Sequence, residues 1–323
     1  ALRRIVVIAD NCSDQTADLA RAAGAECLER TAPTEGGKPR ALAWAIEQLD
    51  LSAWDACVVI DADTVVTSGF ARALAALMPL RNRAVQAYFG PMNEMETGLT
   101  RLAGVLARVR YEVTYPLKAR VGLNCPLTGN GMCLGAGMLA DGGWRHFSIT
   151  ENWELYADYT ARGIPIDYAR DALLRSHEAP TMGQGATQRN RWMAGRLHVL
   201  GDYWRALASS TRIGLAQKLD AFAELAGLSP VLHVVIALTL AALASLLLAS
   251  PLSLIFLWAA AASLLPLTLS VLIVLARHPE PWRTVAAFGI LPFYAVWRAL
   301  TAARTLFSLN DRTWRKTERP GRV

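Results

Sequence analysis

The chain has 323 residues, of which 53% are hydrophobic and 19% charged. Counted with glycine and without tyrosine, the apolar share is about 58%, which excludes a disordered chain and argues against a purely soluble one. The cysteines contain no C-x-x-C pair, so neither a zinc knuckle nor a disulfide framework is indicated. The net charge of +6 favours an anionic partner.

Short apolar runs alternate with helical spacing through residues 1–224. Strands are predicted at 5–9, 57–60 and 84–89, and helices at 16–25, 41–49 and 70–78. This alternation argues for an α/β domain with a mostly parallel sheet and helices on both of its faces. Because the sequence starts at Ala1 and enters a strand almost at once, we expect an earlier strand of this domain to be missing.

Acidic side chains follow two of the predicted strands. Asp10 ends the first strand, and Asp61 and Asp63 follow the strand at 57–60. Open α/β sheets bind their ligands beyond the carboxyl ends of the strands, and two carboxylates one residue apart can share Mg²⁺ or Mn²⁺. The alternative for the D-A-D motif is a solvated turn that caps the next helix.

Two later motifs carry side chains suited to a polar site. In Q-R-N-R-W, Arg191 offers a bidentate phosphate donor beside the flat ring of Trp192, although a basic helix at a membrane surface is equally expected. In T-E-N-W-E, Thr150 is a candidate N-cap, with Glu151 and Glu154 in the first helical turn. Acidic residues there also stabilise a helix N-terminus without any further role.

Residues 225–323 are predicted to form a membrane unit. From 225 to 276 the chain has no Asp, Glu, Lys or Arg, and this length holds two spans, near 231–250 and 252–276. Ser250-Pro251-Leu252-Ser253 interrupts the run and predicts the turn between them. A buried globular helix rarely stays apolar on every face for this length.

The segment after the two spans is less regular. Residues 284–305 contain Pro292, and their apolar part is short for a span, so an interfacial or re-entrant helix is expected. A basic tail follows it. Because both flanks of the hairpin are basic, the positive-inside rule places them, and the first domain, on the cytoplasmic face of the cell (inner) membrane.

The motifs occur in a fixed order: D-N-C-S-D, G-G-K, D-A-D, G-N-G, T-E-N, Q-R-N-R-W and then the paired spans. This order and spacing resemble membrane-bound family-2 glycosyltransferases, whose distant members include cellulose and hyaluronan synthases. The resemblance extends to residues 314–319, which are similar to the W-x-K-T-x-R tail of some members. It implies a GT-A fold, an inverting reaction and a nucleotide-activated sugar donor, usually a UDP-sugar.

The resemblance also implies roles for residues of the first half. Asp10 matches the aspartate that bonds the uracil, and Lys38 the basic residue near the nucleotide. Asp61 would lie near the ribose and diphosphate. Together with Asp63 it would hold the metal cofactor, Mg²⁺ or Mn²⁺.

Further roles fall in the second half of the domain. Gly129 and Asn130 resemble the segment that lines the donor sugar and the acceptor. Gln188 belongs to the motif that binds the nucleotide sugar. Arg191 would neutralise the leaving diphosphate, and Trp192 would stack against the acceptor.

Asn152 departs from the family pattern T-E-D, in which the aspartate is the general base. An amide cannot take up the proton of the acceptor hydroxyl. Three hypotheses follow: Glu151 or Glu154 supplies the carboxylate, the reaction relies mainly on activation of the diphosphate by metal and Arg191, or the chain is catalytically silent. We favour Glu151 as the substitute base.

The sequence thus predicts transfer of a sugar from a nucleoside-diphosphate sugar to a lipid-linked or polysaccharide acceptor at the cytoplasmic membrane face. Expected partners are this donor, this acceptor and membrane lipids, with a homo-oligomer or polysaccharide-export proteins as further candidates and no nucleic acid. The alternative is a catalytically impaired membrane subunit that binds nucleotide sugar or acts as a scaffold, which Asn152 supports. A small transporter is disfavoured, because the spans are few and lack buried charge.

Overall fold

The computed structural model describes residues 4–34, 36–140, 143–227, 229–246 and 251–307. The first part contains β1 (Val6–Asp10), α1 (Thr16–Ala22), β2 (Glu26–Arg30), α2 (Lys38–Gln48), β3 (Ala56–Val59), β4 (Val65–Val66), α3 (Phe70–Ala75) and β5 (Ala84–Pro91). The predicted strands and helices of this part are all present, and α2 begins three residues earlier than expected, with Pro39 in its first turn. The strand β2 was not predicted, because its sequence E-C-L-E-R has little apolar content.

The middle of the chain is mostly helical. It contains α4 (Gly98–Arg108), a π-helical segment (Val109–Thr114), α5 (Tyr115–Arg120), β6 (Met132–Gly135), α6 (Ala136–Ala140), α7 (Glu151–Ala161), β7 (Ile166–Ser176), α8 (Met182–Ser209) and α9 (Leu215–Ala226). The predicted α/β class is therefore confirmed.

Strand direction differs from the prediction of a mostly parallel sheet. β1 and β2 form a parallel pair, and a second sheet has the order β3-β6-β5-β7-β4. Within it only β5 and β7 are parallel, whereas β6 runs antiparallel to both of its neighbours and β4 antiparallel to β7. The reason is topological. After α4 and α5 the chain returns as β6 between β3 and β5, and the local sequence pattern does not predict this insertion.

The core lies on both faces of β5. Ala84, Val85 and Ala87 have no exposed surface, and they pack with residues of β6 and β7 such as Leu134 and Leu174. Burial on both faces explains why β5 does not alternate between apolar and polar residues, and its one amide, Gln86, is also fully buried. Its carboxyl end therefore provides a rigid base for the loops above it.

The C-terminal region contains α10 (Pro230–Leu246), α11 (Pro251–Arg277), α12 (Pro281–Ala287), a 3-10 turn (Phe288–Ile290) and α13 (Leu291–Phe307). Two helical stretches are long and apolar enough to cross a membrane, Leu252–Arg277 and Pro281–Thr305, and α9 with α10 forms a third candidate bent by 94°. The stretch predicted to be interfacial thus lies within 25 consecutive helical residues formed by α12, the 3-10 turn and α13, because Pro281 starts the stretch earlier and Pro292 does not end it.

The spans and their orientation remain predictions. Part of the predicted turn between the first two spans and the tail at 314–319 lie outside the described residues.

The C-terminal helices pack directly on the α/β domain. Val274 of α11 contacts Val105 and Val109, while Tyr294 of α13 packs with Leu99. His278, at the end of α11, lies 3.2 Å from a carboxylate oxygen of Glu94. The two parts of the chain therefore share buried surface.

Candidate active site

A single lysine connects four segments of the chain next to the carboxyl end of β3. Lys38 opens α2 directly after Gly37, whose φ of 114° suits glycine. Its ammonium lies 2.5 Å from Asp61 Oδ1, 2.5 Å from the carbonyl oxygen of Gly129 and 3.8 Å from Glu151 Oε1. Residues predicted from separate motifs thus form one cluster, which we call the Lys38 cluster: Lys38, Asp61, Gly129 and Glu151.

Asp10 lies beside this cluster. Its carboxylate accepts a hydrogen bond of 2.6 Å from Arg30 and a weaker one of 3.4 Å from the backbone N–H of Gly37. The end of β1 and the glycine loop are therefore neighbours, as a nucleotide site requires. Arg30 was missed by sequence reasoning, because the strand that carries it was not predicted.

The loop after β3 presents both acidic residues of the D-A-D motif. The side chain of Asp61 is 41% exposed, and Asp63 is also exposed. Asn130 holds this loop in place: it accepts a hydrogen bond from the backbone of Asp61 at 3.2 Å and donates one to Thr64 at 2.7 Å. Thr64 has no sequence signal of its own that would have identified it.

These carboxylates fit a divalent cation that is completed by the substrate. Within the described ranges no group of three or more His, Cys, Asp or Glu residues has metal-site geometry. Mg²⁺ is commonly held by one or two carboxylates plus substrate phosphates, and Asp61 and Asp63 supply that number. A cation there would share Asp61 with Lys38.

The G-N-G segment is held in place by contacts with residues of β5 and β7. Gly129 and Gly131 have φ of 89° and 71°, and a Cβ on Gly131 would lie 2.2 Å from the Leu174 side chain. Gln86 of β5 is fully buried and donates a hydrogen bond to the carbonyl of Asn130 at 2.9 Å. The segment therefore has little freedom to move away from Asp61.

Asn152 supports this segment. It is 9% exposed, and its Nδ2 donates a hydrogen bond of 2.8 Å to the carbonyl of Leu127. A Cβ on Gly129 would lie 3.5 Å from the carboxamide carbon of Asn152, so this side chain packs under the glycine. The amide donor is thus used in a backbone contact that a carboxylate cannot make.

Glu151 has the environment of a functional carboxyl group. It is 7% exposed, and burial raises its pKa, although the positive charges of Lys38 and Arg191 oppose that rise. Glu154, the other candidate base, instead accepts a hydrogen bond of 2.9 Å from the backbone of Ser148. Perturbed carboxyl groups in a polar cleft are candidates for acid–base chemistry.

The Q-R-N-R-W motif lies in α8. Gln188, Arg191 and Trp192 are spaced i, i+3, i+4 and so share one face of this helix. Burial lowers the pKa of Arg191, and the negative charge of Glu151 opposes this shift, so these two side chains interact electrostatically. Trp192 is 43% exposed, and in the described part of the chain neither it nor Gln188 hydrogen-bonds to that cluster.

Comparison with known proteins agrees with this fold. The family model "Glycosyltransferase like family 2" matches residues 1–195, so the chain belongs to this glycosyltransferase family. No curated protein sequence matches the chain.

Two solved structures illustrate the likeness. The mannosyltransferase PcManGT from Pyrobaculum calidifontis, in complex with GDP-Man and Mn²⁺, is 17% identical, with a TM-score of 0.50 over 95% of this chain and 76% of that one. Glucosyl-3-phosphoglycerate synthase from Mycobacterium tuberculosis, with Mn²⁺, UDP-glucose and phosphoglyceric acid, is 21% identical, with a TM-score of 0.39 over 61% and 68%. The first of these shows that the fold is GT-A-like.

Proposed function

We propose that this chain is an inverting glycosyltransferase in which Glu151 is the general base. The observation that carries the proposal is the Lys38 cluster, because it brings the D-A-D loop, the G-N-G segment and the start of α7 to one point. A nucleotide sugar beside Asp10 and Asp61 would direct its anomeric carbon towards this point. The acceptor hydroxyl would then approach from the side of Glu151.

The chain's own groups account for the charges of this reaction. The Glu151 carboxylate accepts the proton of the acceptor hydroxyl as its oxygen attacks the anomeric carbon and the diphosphate departs. Lys38 and Arg191 supply positive charge near the diphosphate, where negative charge develops. Asp61 and Asp63 would hold Mg²⁺ or Mn²⁺, which when bound adds Lewis-acid stabilisation of the leaving group.

We further propose a UDP-sugar as donor and a lipid-linked or glycan acceptor at the cytoplasmic membrane face. Two helical stretches long enough for a bilayer support the location, since they pack on the same domain that carries the site. The exposed ring of Trp192 supports an acceptor with an apolar face, as sugar rings and lipids have.

A catalytically impaired subunit is the second candidate. Asn152 favours it, because its amide donor is bonded to Leu127 and leaves no carboxylate at the position of the family's base. The two candidates differ in whether Glu151 supports turnover.

The test is the variant Glu151→Gln in a nucleotide-sugar turnover assay across pH. We expect a rate about 10²–10⁴-fold below the wild type, because the general base is lost. In the wild type the rate should rise with pH as Glu151 deprotonates, at a pH above the ordinary pKa of a glutamate, and this limb should vanish in the variant.

The free energy of unfolding of Glu151→Gln shows whether a loss of turnover comes from the lost base or from misfolding. A raised folded-state pKa means that Glu151 favours the folded state at low pH and that this contribution is lost as pH rises, so Glu151→Gln should not destabilise the protein at neutral pH. Glu154→Gln, one turn away on the same helix, is the matched control and should keep most of the activity. Equal turnover in wild type and Glu151→Gln would refute the assignment of the base.

A further inference from the structure

The helix α8 has a second functional face. Gln188, Arg191 and Trp192 lie on one side, whereas Arg189 and Met193, at i and i+4, lie on another. Met193 packs against Leu232 of α10 and Ala302 of α13. The face of α8 that carries Arg189 is therefore turned towards the C-terminal helices.

Arg298 projects from α13 towards this face. It is 5% exposed, and its guanidinium contacts only neutral atoms within the described residues, Thr301 Oγ1 at 3.5 Å and Met193 Sδ at 3.8 Å. Both contacts are too long to be strong hydrogen bonds. Its positive charge is thus buried without a carboxylate partner among the residues that the structure describes.

Arg189 adds a second positive charge at the same place. Its guanidinium lies over the ring of Tyr294 at 5.8 Å, and its Nη1 is buried without a hydrogen-bond partner among the described residues. Arg298 contacts Met193, which lies one turn after Arg189 on α8, and Arg189 contacts Tyr294, which lies one turn before Arg298 on α13, so the two arginines are neighbours across the helices. The charge of Arg189 also acts on the carboxyl group of Glu178, but in the described ranges the two side chains make no ion pair within 4.0 Å.

Arg298 is buried and Arg189 beside it is half-buried, so two positive charges lie together where water screens them poorly. Buried charges in proteins are normally paired, since an unpaired one costs several kcal/mol of desolvation. Among the residues that the structure describes, no carboxylate forms an ion pair with Arg189 or Arg298, so an anionic group from outside the protein could compensate their charges.

We propose that Arg189 and Arg298 bind a phosphate group, carried by an anionic membrane lipid, between α8 and α13. Guanidinium groups match phosphate oxygens in bidentate geometry. The opposite face of α13 exposes Phe293, Val296 and Leu300, which suits contact with lipid chains. This site lies on the other side of α8 from the proposed donor site, so it goes beyond the proposed function.

The experiment measures thermal unfolding of the full chain in detergent with added dioleoyl phosphatidic acid, phosphatidylcholine, oleate or inorganic phosphate. Phosphatidic acid should raise the Tm of the wild type, because a ligand of the folded state stabilises it. Arg189→Gln and Arg298→Gln should raise the concentration for half of this shift about tenfold or more. Without lipid, Arg298→Gln should unfold at the same temperature as the wild type or higher, since it removes an uncompensated charge.

Arg205→Gln on α8 and Arg304→Gln on α13 are the matched controls, since both arginines are exposed, and they should respond to phosphatidic acid as the wild type does. A shift with phosphatidic acid alone supports the lipid as the source, and an equal shift with inorganic phosphate supports the same site with free phosphate as its ligand. The proposal is overturned if oleate acts as strongly as phosphatidic acid, if no phosphate compound shifts the Tm, or if both arginine variants keep the wild-type response.

Discussion

The contacts of the Lys38 ammonium couple the binding of a diphosphate to the charge of Glu151. An ammonium group has three donor hydrogens, and here it faces oxygens of Asp61, Gly129 and Glu151. Its charge attracts Glu151, which is the more buried of the two carboxylates. A bound diphosphate would compete for this ammonium, and the negative charge of Glu151 would then be less compensated and more basic. Donor binding and activation of the base are thus coupled through one side chain.

The same reasoning predicts the outcome of Asn152→Asp. Restoring the family's aspartate removes the hydrogen bond to Leu127 and places a carboxylate against that carbonyl oxygen. We expect a loss of about 1–3 kcal/mol in the free energy of unfolding and no gain in turnover. Chemical denaturation and the nucleotide-sugar assay measure the two quantities.

Asn124→Asp calibrates the expected loss. Asn124 is also buried and donates to a backbone carbonyl, that of Ile164 at 3.0 Å, but it lies outside the Lys38 cluster. Its aspartate variant should show the same direction of destabilisation. A gain in turnover of 10²-fold or more in Asn152→Asp would instead mean that position 152 is the vacated site of the base, in line with the usual contribution of such a group.

At the scale of elements, the crossing of α7 and α8 sets the distance between Glu151 and Arg191. Gly195 of α8 faces Thr150, and a Cβ there would lie 2.3 Å from the threonine methyl group. Gly195→Ala should therefore push the helices apart, destabilise the protein by about 1–3 kcal/mol and lower turnover.

Gly201→Ala is the matched control, because this glycine lies in the same helix with no atom within 4 Å of a Cβ. It should stabilise the protein by about 0.5–1 kcal/mol, as alanine is the better helix former. Thermal unfolding and turnover of both variants test the crossing. If Gly195→Ala behaved like Gly201→Ala, close contact of α7 and α8 would not be needed for the site.

The sequence predicted the individual helices and strands better than it predicted how the strands are ordered and directed in the sheet. Apolar runs and caps predicted β1, β3, β5, α2 and the helix after Thr150, because these signals are local. The strand β2 was not predicted because about half of its residues are polar. The antiparallel direction of β6 was not predicted because it depends on the long helical connection that precedes this strand. The structure brings residues of four motifs together in the Lys38 cluster, and the contact by which one lysine joins Asp61 to Glu151 follows only from the packing.

At the scale of the whole molecule, composition separates the α/β domain from the C-terminal helices, whereas in the structure the two parts share buried contacts. The uncharged run from residue 225 predicted two membrane helices. Of the two stretches long and apolar enough to cross a membrane, Leu252–Arg277 belongs to this run and Pro281–Thr305 follows it, whereas α10 is a candidate only together with α9. Composition did not predict that these helices also complete the core of the α/β domain. Glu94 illustrates the link, since it pairs with Arg108 at 3.0 Å and lies 3.2 Å from His278 across the boundary.

This shared core makes a prediction about the isolated domain. A fragment of residues 1–227 would expose Leu99, Val105 and Val109, which the C-terminal helices now cover. Each covered side chain contributes about 1.5–3 kcal/mol, so the fragment should unfold at a lower temperature than the full chain and aggregate without detergent. Light scattering and thermal unfolding measure this, and the same fragment with Val105→Gln and Val109→Gln should scatter less. A monomeric fragment as stable as the full chain would show that the helices are attached without supporting the fold.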